Sequence, residues 1–188
     1  MTTRRLRPVL WAAAGVLVLA LLAFLAVGAN SPADPSLAPP DGTEPAGEAR
    51  PTRVPVEGFG EIGFGLGGTD QVAAERCALL AETGVQLQRG LMGRRDLSGY
   101  DGMIFRFGFD TTSPFYMRNV PIPLEIAWFG SDGALVSTAE MAPCPDLDGC
   151  PTYGPAAPYR YALEVGTGGL EGLGVDAGTV LVLRDGCG

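Results

Sequence analysis

The chain has 188 residues, enough for one domain of ordinary size with terminal extensions. It contains no histidine, and all 13 of its basic residues are arginine. The lack of histidine excludes Ser-His-Asp or Cys-His catalysis within one chain, and any zinc site with a histidine ligand. Because the net charge is −8, the chain lacks the basic surface that phosphate backbones require, and we expect no nucleic-acid partner.

The first 29 residues have the pattern of a membrane signal. Arg4, Arg5 and Arg7 precede an apolar run over residues 9–27, long enough as a helix to span roughly 30 Å of hydrocarbon. Basic residues before such a run favour a cytoplasmic N-terminus and an extracytoplasmic position for the rest. The length of the run favours a retained single-pass anchor in the lipid bilayer of the cell membrane. A signal peptide cleaved near residues 27–29, with secretion of the remainder, is the alternative.

Residues 30–55 have the composition of a linker. They are rich in proline, alanine, glycine and acidic residues, with almost no large apolar side chain. Such a segment cannot bury enough apolar surface to offset the entropy lost on ordering. We therefore predict a disordered linker at 30–55, which holds a folded domain at 56–188 away from a membrane.

Short segments with strand patterning recur throughout the predicted domain. Residues 58–66 alternate glycine or glutamate with phenylalanine, isoleucine and leucine, the period of a half-buried strand. Segments near 84–90 and 169–175 favour a short helix or turn. The spacing predicts a mostly β fold, a small β-barrel-like or sandwich domain with one or two short helices, preceded by an N-terminal transmembrane helix. Further strands are predicted at 77–81, 103–107, 124–129, 134–138, 159–165 and 178–184.

The four cysteines are expected to form disulfides, because an exported domain meets an oxidising environment. Cys144 and Cys150 lie close together in one proline-rich loop, which makes local pairing easy. Cys77 and Cys187 would then join the first core strand to the C-terminus. The alternative is a metal site formed by Cys144, Cys150 and the two aspartates between them, but this loop lacks the remaining ligands of a calcium site. We predict structural disulfides and no metal.

Several motifs occur in a fixed order along the domain. They are residues 89–94, 102–105, 115–119, 122–126, 143–151 and 161–165. Together they resemble the family known as domain of unknown function 192 (DUF192) over residues 77–184. The resemblance implies a small β-barrel-like domain, often exported, with no established activity. The family usually has threonine where this chain has Val120, and aspartate where it has Glu125.

Four polar residues lie within the motif-bearing segments: Arg94, Asn119, Glu125 and Glu164. In one interpretation they bind a ligand. Arg94 holds an anionic group, Asn119 positions it, and Glu125 accepts hydrogen bonds or acts as an acid or base. In the other interpretation they are structural, with Arg94 paired to Glu125 or Glu164 and Asn119 bonded to the backbone at a turn.

The apolar side of the candidate site would consist of methionine and aromatic side chains. Met92 and Met117, with Met103 and Phe115, would form an adaptable wall, and Tyr153 is a further candidate. If a site exists, Arg94, Asn119 and Glu125 are expected to meet where residues 115–120 lead into the strand at 124–129.

These features predict a non-enzymatic binding or accessory module of the cell envelope. Its ligand or protein partner is not identified by the sequence, and no cofactor is expected. The alternative is a hydrolase or lyase that acts on an envelope component, with Glu125 or Glu164 as acid or base. A carboxylate at the floor of an accessible cleft favours the enzyme. Carboxylates paired with arginine beneath a filled core favour the binding module.

Overall fold

The strands predicted from alternating apolar residues are present in the structure. The computed structural model describes residues 52–68, 71–72, 75–145 and 149–187. The strands are β1 (Gly60–Gly68), β2 (Gln71–Val72), β3 (Arg76–Ala81), β4 (Gly102–Thr111), β5 (Phe115–Tyr116), β6 (Leu124–Phe129), β7 (Leu135–Met141), β8 (Thr152–Tyr153), β9 (Tyr159–Gly166) and β10 (Val180–Arg184). The helices are α1 (Gly84–Arg89) and α2 (Gly169–Gly172).

The predicted membrane segment, residues 1–29, and most of the predicted linker lie outside these ranges. Within the ranges, no helix is both long enough and apolar enough to cross a bilayer. The last residues of the predicted linker are described, and they contact the domain. The backbone N–H of Val54 donates to the carbonyl of Ser98 at 2.9 Å. Ordered chain therefore begins before Val56.

The main sheet is strongly bent and forms a half-barrel. Its strand order is β10-β1-β3-β4-β9-β6-β7, and β2 adds to β1. Only the β3–β4 pair within this sheet is parallel. The two outermost strands approach each other at one end, where Leu135 N–H donates to Thr179 C=O at 3.0 Å and Leu181 N–H donates to Gly133 C=O at 2.8 Å. β5 and β8 form a separate two-stranded ribbon.

Each face of the main sheet has its own apolar core, because side chains alternate between the two faces of a strand. We call these the inner core and the outer core. The inner core includes Phe64, Ile104, Phe129, Leu163 and Leu181. The outer core includes Leu79, Met103, Phe105, Met117, Ile126, Trp128 and Tyr159.

Helix α1 packs at the edge of the outer core and begins with a capping box. The Gln86 N–H donates to Thr83 Oγ1 at 3.4 Å, and the Thr83 N–H donates to Gln86 Oε1 at 2.9 Å. This reciprocal pairing satisfies N–H groups that the first helical turn leaves open. Gly90 ends the helix with φ of +43°, and a Cβ there would lie 3.2 Å from the Phe105 ring. Glycine therefore permits the close approach of this segment to Phe105.

The predicted disulfide pairing is confirmed. Cys77 is bonded to Cys187, with their Cα atoms 5.3 Å apart, and Cys144 is bonded to Cys150, with 5.9 Å between Cα atoms. No cysteine in the described part of the chain is free. Since both sulfurs of the proline-rich loop are bonded to each other, that loop offers no thiolate to a metal.

We expect the two disulfides to differ in their contribution to stability. The Cys77–Cys187 bridge closes a loop with a sequence separation of 110, against 6 for Cys144–Cys150. In the loop-entropy estimate, replacing both cysteines of a pair by serine lowers the free energy of unfolding by about 5 kcal/mol for the long loop and about 2 kcal/mol for the short one. Urea unfolding of the two double variants measures the difference. Equal losses would show that loop closure does not govern their contributions.

Candidate functional site

Strand β9 brings Glu164 to the outer face of the sheet. In the register of the central strands, Glu164 lies opposite Met103 of β4 and Ile126 of β6. Both of these neighbours belong to the outer core, so the carboxyl group of Glu164 is on that face. Its sequence neighbours Leu163 and Val165 point the other way, into the inner core.

Glu164 is a buried acid without a partner in the described part of the chain. Its residue is 5% exposed, and no described residue donates a hydrogen bond to its carboxyl group or forms an ion pair with it. Burial raises the pKa of Glu164 to about 8, because removal from water disfavours the charged form. At neutral pH the side chain is therefore mainly a neutral carboxylic acid, which can both donate and accept a hydrogen bond.

A cavity of about 200 Å³ lies beside this acid. One wall is formed by α1 and the residues that follow it, and the other by aromatic residues of β4, β5 and β9. We call this cavity the outer pocket. Its lining residues are Leu87, Gln88, Arg89, Gly90, Leu91, Met92, Phe105, Phe107, Ser113, Pro114, Phe115, Tyr116, Val120, Tyr159 and Glu164.

The aromatic walls of the outer pocket are held by ring packing. The Phe105 and Phe115 rings meet edge to face, 4.9 Å apart, and the Phe107 and Tyr159 rings do so at 5.2 Å. The Tyr159 hydroxyl donates to the Ser113 carbonyl at 2.9 Å, and burial raises the pKa of this tyrosine. The pocket is therefore largely apolar and preformed, which is typical of small-molecule sites.

Glu125 lies on the opposite face of the sheet from Glu164. Its carboxylate accepts hydrogen bonds from the N–H of Gly168 at 2.6 Å and of Leu170 at 2.9 Å, so it anchors the start of α2. The structure thus corrects the expectation that Glu125 meets Arg94 and Asn119. Because Glu125 and Glu164 point to opposite faces, they cannot act on one substrate as a pair.

Arg94 and Asn119 lie on adjacent segments, and neither lines the outer pocket. The Arg94 guanidinium donates to Ser98 Oγ, and its buried Nε has no partner among the described residues. Asn119 has φ of +56°, and its carbonyl accepts from the Gly93 N–H at 2.7 Å. The Val120 N–H closes a turn onto Met117 C=O at 2.9 Å. Asn119 thus lies in a turn and bonds to neighbouring backbone through its carbonyl, as the structural interpretation expected of a turn residue. Asparagine tolerates the left-handed conformation that this turn requires.

The remaining candidates divide between the pocket and its support. Met92 lines the pocket, whereas Met117 is fully buried in the outer core. Tyr153 pairs with Phe115 across the β5–β8 ribbon, and its hydroxyl accepts from Ala142 N–H at 3.0 Å. Sequence reasoning missed Phe107 and Tyr159 as pocket residues. Their signal was alternation along two predicted strands, but the pairing of those strands was needed to place both on one face.

Besides the Cys144–Cys150 loop, the described ranges contain one group of potential metal ligands. The side chains of Glu61, Cys77 and Cys187 lie close together. Both sulfurs belong to one disulfide, so the group offers a single carboxylate. That carboxylate already accepts from the Tyr100 hydroxyl. Burial and the Glu61 hydrogen bond raise the pKa of Tyr100 to about 12, so this phenol keeps its proton.

Comparison with known proteins places the chain in a family. The model of the DUF192 family, described as an uncharacterized ACR, matches residues 68–183, and the chain belongs to this family. A protein of unknown function from Novosphingobium aromaticivorans DSM 12444 is 28% identical, with a TM-score of 0.57, and the match covers 72% of this chain and 94% of that one. A proposed transcription regulator from Sinorhizobium meliloti 1021 is 26% identical, with a TM-score of 0.56, over 66% of this chain and 95% of that one. No curated protein matches the chain.

The burial of Glu164 predicts a pH-dependent effect of Glu164→Gln on stability. The folded-state pKa of about 8 lies above the ordinary 4.5, so between these values the unfolded chain binds fewer protons than the folded one. Stability of the unmodified protein therefore falls as pH rises through this window, by up to about 1.4 kcal/mol per pH unit, and the neutral variant escapes this loss. Urea unfolding between pH 5 and 9 measures the free energy of unfolding of both proteins. The value for the variant, relative to that for the unmodified protein, should rise up to pH 8 and then stay constant.

Glu125→Gln is the matched control. It weakens the acceptor for two backbone N–H groups and should lower stability by about 1–2 kcal/mol. A stability difference between Glu164→Gln and the unmodified protein that stays constant across the pH range would contradict a raised pKa at Glu164.

Proposed function

We propose that this domain is a small-molecule binding module whose site is the outer pocket. The observation that carries the proposal is a buried carboxyl group, unpaired among the described residues, in the wall of a preformed aromatic cavity. A buried polar group normally has a hydrogen-bond partner, and a buried acid without one costs stability. A bound ligand would supply that partner, and the apolar walls would supply most of the contact area.

The size of the pocket limits the ligand. A dry cavity of about 150 Å³ is enough to bind benzene. The outer pocket, at about 200 Å³, is therefore suited to one ring or a short alkyl chain with a single polar group. A nucleic-acid partner is not proposed, although one similar structure is described as a proposed transcription regulator, because the chain has a net charge of −8.

A hydrolase or lyase is the second candidate, and one observation favours it. A carboxyl group with a pKa of about 8 can accept or donate a proton near neutral pH, as general acid–base catalysis requires. Glu164 is the residue for this role, because Glu125 is bonded to the backbone of α2 on the other face. Turnover that Glu164→Gln abolishes without loss of ligand binding would favour the enzyme over the binding module.

We also propose that the domain is tethered to a membrane on its extracytoplasmic side. The basic residues before the apolar run at 9–27 support this orientation. The two disulfides of the folded domain support an oxidising compartment, since such bonds are rare in reducing ones. In this arrangement the domain serves the cell envelope as a binding or accessory module.

Filling the outer pocket should abolish ligand binding. Leu87→Trp introduces a large ring at a pocket-lining position of α1, whereas Val85→Trp changes an exposed residue, 77% accessible, on the same helix. With toluene as the probe, NMR titration should detect binding by the unmodified domain and by Val85→Trp, and none by Leu87→Trp. Thermal melting checks that both variants fold. Toluene binding that persists in a folded Leu87→Trp variant would place the site elsewhere.

The tether predicts a change of location on truncation. The full chain should sediment with membranes, and its domain should be cleaved by protease added outside spheroplasts. A chain that lacks residues 1–29 should remain in the cytoplasm, where it cannot be reached by that protease. Protection of the full chain from external protease would refute the proposed orientation. If expression of the full chain releases a form with a shortened N-terminus into the medium, a cleaved signal peptide is favoured over the anchor.

A further inference from the structure

We infer that the outer pocket selects a small amine, with the ammonium group paired to Glu164 and the apolar body held among the aromatic rings. This inference rests on the proposed ligand-binding function and adds the chemical class of the ligand. The geometry that carries it is one acid without a partner beside several aromatic side chains. The rings that line the pocket belong to Phe105, Phe107, Phe115, Tyr116 and Tyr159.

The described residues leave Glu164 without a charged partner. Its carboxyl group is buried with no hydrogen-bond donor or cation from the described chain, although nine arginines lie in the described ranges. A ligand that brings a positive charge would stabilise the ionised form of the acid and offset part of its desolvation penalty. A neutral ligand would form only an ordinary hydrogen bond, which contributes less than a charge-assisted one.

The aromatic rings of the outer pocket favour a cation. Aromatic faces carry negative electrostatic potential and attract cations, and combinations of aromatic walls with one carboxylate suit ammonium ligands. The ring pairs Phe105–Phe115 and Phe107–Tyr159 fix the wall before any ligand arrives. Their hydrophobic area favours an aromatic or aliphatic body of about eight non-hydrogen atoms in a cavity of this size.

The other titratable groups of the pocket leave this role to Glu164. Arg89 is the one guanidinium among the lining residues, and it lies over the Phe59 ring, 5.5 Å from its centroid. Arg89 is exposed, so solvent screens its charge. Tyr159 donates its hydroxyl proton to Ser113 C=O, and Tyr116 lies at the exposed side of the pocket. The facing residues of β4 and β6, Met103 and Ile126, carry no charge.

Three probes of similar size test the inference by isothermal titration calorimetry: benzylamine, benzyl alcohol and benzoate. Benzylamine should bind the unmodified protein at least about tenfold more tightly than benzyl alcohol at pH 8, as expected for a charge-assisted hydrogen bond. In Glu164→Gln this preference should disappear, while toluene binding persists. Glu125→Gln, on the other face of the sheet, should retain the preference.

Proton release gives a readout that a merely structural Glu164 would not produce. Because the acid is protonated in the free protein below pH 8, binding of an ammonium ion should release close to one proton, measured by repeating the titration in buffers of different ionisation enthalpy. The affinity for benzylamine should rise by up to about tenfold per pH unit between pH 6 and 8. Benzyl alcohol should show neither effect.

The possible failures are distinguishable. If toluene and benzyl alcohol bind but benzylamine has no advantage, the amine inference is wrong and the binding pocket stands. If benzoate binds most tightly, the pocket prefers an anionic group to an ammonium group, and the amine inference is again wrong. If none of the probes binds, toluene included, both the inference and the proposed binding function are wrong.

Discussion

The position of β9 between β4 and β6 is the constraint on which the rest of the structure depends. This interior strand of the half-barrel contributes side chains to both cores. Leu163 and Val165 fill the inner core, whereas Ala162 and Glu164 face the outer one. Because strand side chains alternate, a slip of one residue would place the acid in the inner core and two large apolar residues in the pocket wall. The register of β9 therefore determines both the fold and the candidate site.

The outer core is completed by segments that are distant in sequence. The paired strands β4, β9 and β6 form the base of the outer core, where the small side chain of Ala162 lies opposite Phe105 and Trp128. Helix α1 and the segment that includes Phe115 cover this base and leave the outer pocket between them. The covering segments are themselves constrained, by the capping box of α1, by the β5–β8 ribbon and by the Cys144–Cys150 bridge. The pocket is thus a property of the tertiary structure and not of one motif.

The sequence predicted the strands well because half-buried strands carry a visible period of two. The predicted strand at 124–129 is β6, which pairs with the predicted strand at 159–165, now β9. The extension of β4 to Thr111 was not predicted, because its outer residues are exposed and lack an apolar alternation. The positive φ of Asn119 agrees with a turn before the prolines, which the residue type itself indicates.

The sequence could not separate the roles of Glu125 and Glu164. Each is a single glutamate within an apolar strand, so the local sequence does not distinguish a structural glutamate from one that lines a pocket. Their difference arises from which face each occupies and from what lies opposite. Glu125 meets the free N–H groups at the start of α2, whereas Glu164 meets apolar side chains and a cavity. These contacts depend on strand register and on distant segments, and neither is encoded in the spacing of the motifs.

The central claim is that Glu164 is a buried acid that keeps its proton at neutral pH beside an apolar pocket. The most direct test is an NMR titration of its side-chain carboxyl carbon in the folded protein, assigned by the loss of that signal in Glu164→Gln. The account predicts a midpoint at a pKa of about 8. A midpoint near the ordinary glutamate value of 4.5 would show that the carboxyl group is solvated or paired, and would contradict a buried, protonated Glu164.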